Sequence, residues 1–101
     1  MSFMSDVKAV TKTADAAAIS GRTRLQGVYY TCTGTASSFA LKNGSTDAGA
    51  ALLTINTPAA AGAYDLIIPD DGILFDSGIY VDVGDAEVTS VTLLFVGGAA
   101  A

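Results

Sequence analysis

The 101-residue chain contains no histidine, no tryptophan and a single cysteine, Cys32. Without histidine, it lacks the usual proton-transfer base at neutral pH and the commonest transition-metal ligand. One cysteine excludes an intrachain disulfide framework, and a Cys–His catalytic pair is also excluded. These absences argue against an enzyme and against a bound cofactor. We expect Cys32 to be a small, half-buried strand residue.

Basic residues are also scarce, because only five balance ten acidic residues and the net charge is −5. Phosphate contacts require clustered Lys and Arg, so the composition argues against nucleic acid as a partner. All five basic residues precede Asp47, whereas no basic residue follows it. This asymmetry favours head-to-tail contacts between subunits or contact with a charged partner, unless folding mixes the two halves on one surface.

Long hydrophobic runs are absent as well. Residues 1–10, MSFMSDVKAV, contain no apolar segment of signal-peptide length, and no later stretch approaches the length of a membrane span. We therefore expect synthesis in the cytoplasm of the producing cell and no membrane partner.

The chain does contain short apolar runs cut by Gly, Pro, Asp and Ser, most densely in residues 62–84. Side-chain alternation there places Ile73, Phe75, Ile79 and Val81 on one face. Residues 73–75 and 79–81 are predicted to form a hairpin, with residues 76–78 as a three-residue loop. One continuous kinked strand would preserve the same alternation and is the alternative.

Further strands are predicted over residues 21–33, 38–42, 51–56 and 88–96. Gly27 indicates a bulge or a close backbone approach within the first of them. Asn43 and Gly44 suit a two-residue turn, although a longer loop reaching Gly49 is equally compatible. Residues 58–63 are predicted to be a crossing loop between sheets, with a short helix as the alternative.

Seven to eight short strands predict an all-β fold, an antiparallel β-sandwich that is jelly-roll-like or Ig-like. Residues 21–101 are predicted to form this single domain. Residues 1–20 are predicted to be an extended N-terminal arm, with at most a short strand near residues 7–11; a frayed terminus is the alternative.

Polar clusters that could support chemistry have simpler interpretations. Asp70 and Asp71 could pair as glycosidase carboxylates, but the sequence Pro-Asp-Asp-Gly is typical of a β-turn. Five aspartates could supply calcium ligands or could be solvated turn residues. Four tyrosines could bind sugar or belong to the core. The five aspartates are Asp70, Asp71, Asp76, Asp82 and Asp85, and the four tyrosines are Tyr29, Tyr30, Tyr64 and Tyr80.

Three segments of the chain share the pattern of one protein family: residues 21–30 (GRTRLQGVYY), 71–81 (DGILFDSGIYV) and 88–95 (VTSVTLLF). They resemble small β-rich virion structural proteins of marine tailed bacteriophages. The resemblance spans residues 21–96 and rests on strand-and-turn pattern. It implies a capsid decoration or cement protein on the capsid exterior, or a tail, neck or fibre component. It also implies a homotrimer and partners such as the major capsid protein or other virion proteins.

We therefore predict a virion structural protein, most simply one that binds the major capsid protein lattice and stabilises the head. A carbohydrate-binding adhesion module that uses the tyrosines is the alternative from another class. The residues predicted to bind the partner are basic ones in or next to the arm: Lys8, Lys12, Arg22 and Arg24.

Overall fold

The computed structural model describes residues 7–83 and 86–101. The described part of the chain contains eight antiparallel strands and no helix, and therefore no helix of the length and hydrophobicity that a membrane crossing requires. The strands are β1 (Lys8–Lys12), β2 (Ala16–Cys32), β3 (Ser37–Asn43), β4 (Ala51–Thr57), β5 (Gly62–Ile67), β6 (Ile73–Phe75), β7 (Gly78–Asp82) and β8 (Val88–Ala100). The predicted all-β antiparallel fold is confirmed, as a single curled, sandwich-like sheet.

The 17-residue strand β2 is the centre of this sheet. One of its edges pairs with β8, and its other edge is shared in succession by β7, β6 and β5. The sheet continues outward from β8 to β1 and from β7 through β3 to β4. One long strand thus pairs with four of the other seven described strands.

A bulge at Gln26 changes which side chains of β2 face the core. Leu25 lies opposite Phe95 of β8 whereas Gly27 lies opposite Leu94, so Gln26 is the extra residue. Before the bulge odd-numbered residues point inward, and after it even-numbered residues do: the buried side chains are Thr23, Leu25, Val28, Tyr30 and Cys32. The bulge that Gly27 indicated is present.

The predicted hairpin of residues 73–75 and 79–81 is wrong. β6 and β7 do not pair with each other; both lie antiparallel to β2, with Phe75 opposite Thr23 and Ile79 opposite Ile19. The alternative of one kinked strand describes them. Both arrangements place the same side chains inward, which explains why alternation could not separate them.

Residues 8–12 and 16–20 lie within the sheet instead of extending from it. β1 pairs with β8, and residues 16–20 form the first part of β2, so β2 crosses the predicted domain boundary at residue 21. Residues 1–6 of the predicted arm lie outside the described residues. The longer loop, residues 44–50, replaces the two-residue turn. Residues 58–61 connect β4 to β5, whereas residues 62 and 63 of the predicted crossing loop belong to β5.

The core is formed on the inner side of the curl. Tyr30 of β2 packs edge-on against Phe39 of β3 at a centroid distance of 5.1 Å, although β7 separates these strands in the sheet. The ring centroid of Tyr64, on β5, lies 5.7 Å from the ring centroid of Tyr30. Phe75 and Phe95 are fully buried. Because the sheet curls, strands that are not neighbours share one core.

Candidate interaction surfaces

The four predicted partner-binding residues do not form a single patch. Lys8 and Lys12 lie on the edge strand β1, where their amines donate to the carbonyls of Gly98 and Ala101 at 2.8 and 3.0 Å. The Lys8 amine also lies 5.4 Å from the ring centroid of Phe95. These two amines are therefore engaged within the chain.

Arg22 and Arg24 lie on β2. Arg22 is exposed and close enough to Asp76 to help lower the pKa of that carboxyl. Arg24 is half-buried between Leu74 of β6 and Val96 of β8, its neighbours across the two strand pairs. Arg24 thus belongs to the outer face of the sheet, away from the β1 amines.

An apolar strip covers this outer face of the sheet. Ile67 is 67% exposed, Tyr29 46% and Leu74 37%, while Leu94 and Val96 are half-buried beside them. Directly opposed residues of antiparallel neighbours share a face, and the pairing of β2 with β5, β6 and β8 brings these five together. We call Tyr29, Ile67, Leu74, Leu94 and Val96 the outer strip.

Gly27 lies in the middle of the outer strip. A methyl group placed on Gly27 would lie 3.4 Å from Leu94 Cδ1, 3.7 Å from Ile67 Cδ1 and 3.2 Å from the Leu66 carbonyl oxygen. The two side chains therefore close over the glycine from both sides. The result is a continuous apolar row from Ile67 through Gly27 to Leu94, and apolar surface of this kind is a feature of protein interaction sites.

The sheet also has edge strands that differ in charge. β1 carries Lys8 and Lys12, β5 carries Asp65, and β6 is only three residues long. β4 has seven residues, ALLTINT, with no charge, and its second edge is unpaired among the described residues. Charged side chains discourage a second strand from adding to an edge. β4 is therefore the edge most open to strand addition.

The tyrosines do not gather on one surface. Tyr29 points outward, Tyr30 and Tyr64 pack in the core, and Tyr80 is half-buried on β7. The acidic residues are also dispersed: no group of three or more metal-ligating side chains occurs in residues 7–83 and 86–101. Asp85, one of the five candidate calcium ligands, lies outside the described residues.

Ionisable groups are shifted mainly where strands are joined. A hydrogen bond from Asn43 lowers the pKa of Asp76, and a hydrogen bond to Asp82 raises the pKa of Lys42. The Lys42–Asp82 ion pair, at 2.8 Å, links β3 to β7 and brings together the basic and acidic parts of the sequence. Burial raises the pKa of Tyr30 and Tyr80. These pKa shifts follow from the way the strands pack together.

The outer strip was not predicted from the sequence. Alternation would have placed Tyr29 with Leu25, and only the bulge moves them to opposite faces. The exposure of Ile67 depends on its pairing with Gly27, a long-range contact. Comparison with known proteins gave no matching family model, no matching curated protein and no matching solved structure.

Proposed function

We propose that the chain is a virion structural protein, and within that class a capsid decoration protein bound to the major capsid protein lattice on the capsid exterior. The resemblance of residues 21–96 to small virion proteins motivates the class. The observation that carries the proposal is the uncharged edge of β4, which pairs with no strand in residues 7–83 and 86–101.

An open β4 edge provides a way to bind a large assembly with a small domain. An extended segment of a capsid subunit can add to β4 as a further strand, because backbone hydrogen bonds supply affinity and side-chain pockets supply specificity. Leu52 is 43% exposed on this strand and offers an apolar contact to such a segment. Many copies on a symmetric shell turn modest individual contacts into stable occupancy.

Capsids purified without this protein provide the test. Thr54 and Asn56 are exposed on β4, so a Thr54→Lys/Asn56→Lys variant adds edge charge without touching the core. We expect wild-type protein to co-sediment with these capsids and the double variant to lose binding. Thr11→Lys, on the opposite edge strand β1, is the control and should bind normally.

Two results would redirect the proposal. Equal binding of wild type and the β4 variant would remove β4 from the interface. Immuno-labelling of intact particles at the tail, neck or fibre would favour those structures over the head. The carbohydrate alternative predicts binding on a glycan array that Tyr29→Ala abolishes, since Tyr29 is the most exposed large aromatic side chain among the described residues.

A further inference from the structure

The outer strip and its flanking charges form three parallel rows across the sheet. Successive rows are two residues apart along β8, a spacing of roughly 7 Å. The first row is Leu74, Arg24 and Val96; the middle row is Ile67, Gly27 and Leu94; the third row is Asp65, Tyr29 and Thr92. The middle row is therefore purely apolar, and a charge of opposite sign occurs in each outer row.

The two charges of these rows have no partner within the described part of the chain. Neither Arg24 nor Asp65 forms a hydrogen bond or ion pair through its side chain there. Lys42 and Asp82, on another part of the sheet, are paired, with 2.8 Å between Lys42 Nζ and Asp82 Oδ2. Arg24 is half-buried and Asp65 is exposed. An unpaired cation and an unpaired anion thus flank one apolar surface.

We propose that this face binds a second copy of the chain, sheet against sheet, about a two-fold axis that crosses β2 at right angles at the level of Gly27. Sheets packed face to face lie about 10 Å apart, within the combined reach of an arginine and an aspartate. The first row of each copy then covers the third row of the other. Arg24 lies over Tyr29 of the second copy and next to its Asp65.

The arrangement of charge selects this axis over the other obvious one. A two-fold axis parallel to β2 would place Arg24 on Arg24 of the second copy, and like charges in contact disfavour association. The axis across β2 instead gives two Arg24–Asp65 pairs and two contacts between Arg24 and a tyrosine ring. In both orientations Ile67 and Leu94 are buried, each against its own counterpart with the axis across β2 and against one another with the axis parallel to β2. The charges, not the apolar contacts, therefore determine the orientation.

Self-association of this kind closes after two copies, because each copy uses its single outer face. The resemblance to virion proteins led us to expect a homotrimer, which requires a different contact. The dimer inference goes beyond the proposed function and does not depend on it, since it concerns the free protein and leaves β4 available in each copy.

Light scattering after size exclusion tests the inference on the full chain over a range of concentrations. We expect wild type to approach twice the monomer mass of 10.1 kDa. Arg24→Asp and Asp65→Arg should each weaken the dimer by about tenfold or more, whereas the double charge swap Arg24→Asp/Asp65→Arg should restore it. Arg22→Asp, one row beyond Arg24 on the same face and next to Asp76, should weaken the dimer less than Arg24→Asp does.

A variant at an exposed position separates loss of the dimer from loss of the fold. Ile67 is 67% exposed, so Ile67→Ser should leave the circular dichroism spectrum unchanged while making the protein monomeric. Its thermal midpoint should equal that of wild type diluted until the dimer has dissociated, because dimerisation itself raises the midpoint. Any of three results would overturn the inference: a wild type that remains monomeric or forms a trimer, an Ile67→Ser variant that remains dimeric, or a folded double swap that does not recover the dimer.

Discussion

Asn43 Nδ2 donates a 2.7 Å hydrogen bond to Asp76 Oδ1, which joins the end of β3 to the turn between β6 and β7. The Asn43 side-chain oxygen accepts a second bond, at 2.9 Å, from the Ser77 backbone amide. One amide thus holds both the side chain and the backbone of the turn at which the strand along β2 kinks.

This contact predicts a pH-dependent loss of stability. The folded pKa of Asp76 is below its ordinary value of 3.8, chiefly because of the Asn43 bond, so its contribution is complete above 3.8 and lost as pH falls through the folded pKa. Asp76→Asn should lower the denaturation midpoint at neutral pH, and the difference from wild type should close in acid. Asp71→Asn, at an exposed turn residue, is the control; a constant difference across pH for Asp76→Asn would contradict the prediction.

Truncation to alanine at two adjacent residues of β6 should change the free energy of unfolding by very different amounts. Phe75 is fully buried and Leu74 is 37% exposed. Phe75→Ala should cost about 3–5 kcal/mol of unfolding free energy, a large part of the total for a domain of this size. Leu74→Ala should cost less than about 1 kcal/mol. Urea denaturation measures both, and equal costs would show that β6 is not anchored by its inward side chain.

Gly72 predicts a backbone requirement in the turn that precedes β6. Its φ is +79°, and an added Cβ would lie 2.2 Å from the Leu25 carbonyl oxygen, so the backbone must move to accept any side chain. Gly72→Ala should lower the unfolding free energy by more than about 1–2 kcal/mol, the cost of left-handed backbone alone. Gly34→Ala is the matched control, because no atom lies within 4 Å of its added Cβ. Comparable thermal midpoints for the two variants would refute this account.

The bulge predicts an unusual sensitivity to deletion. Removing Gln26 would return residues 23–30 of β2 to strict alternation and direct either Leu25 or the group containing Val28 and Tyr30 away from the core. We expect the Gln26 deletion to lose cooperative unfolding, as followed by circular dichroism and amide proton spectra. Deleting Ser45 from the exposed loop of residues 44–50 should be tolerated. A cooperatively folded Gln26 deletion would mean that the sheet can re-register.

The sequence predicted the local features of this fold better than it predicted which strands pair with each other. The glycine within a β-rich run correctly indicated a bulge, and alternation correctly placed Phe75 and Ile79 inward. Neither signal contains information about the neighbouring strand. The same alternation therefore fitted a hairpin and a kinked strand equally, and only the pairing of both segments with β2 distinguishes them.

The candidate surfaces were harder to predict for the same reason. Lys8 and Lys12 are basic residues near the start of the chain, which suggested docking, but their amines contact carbonyls near the other end of the sequence. The outer strip gathers residues of four strands, β2, β5, β6 and β8. A periodic pattern within one strand cannot reveal such a surface.

The position of β8 between β1 and β2 has a consequence for how the protein reaches its native state. The first two strands have no pairing with each other; each pairs with β8, so Lys8 lies opposite Phe95 and Tyr30 opposite Val91. A chain emerging from the ribosome must therefore keep β1 and that edge of β2 unpaired until β8 has been made. Such distant pairings are typical of domains that fold in milliseconds to seconds, and the waiting strands are exposed to aggregation in the meantime.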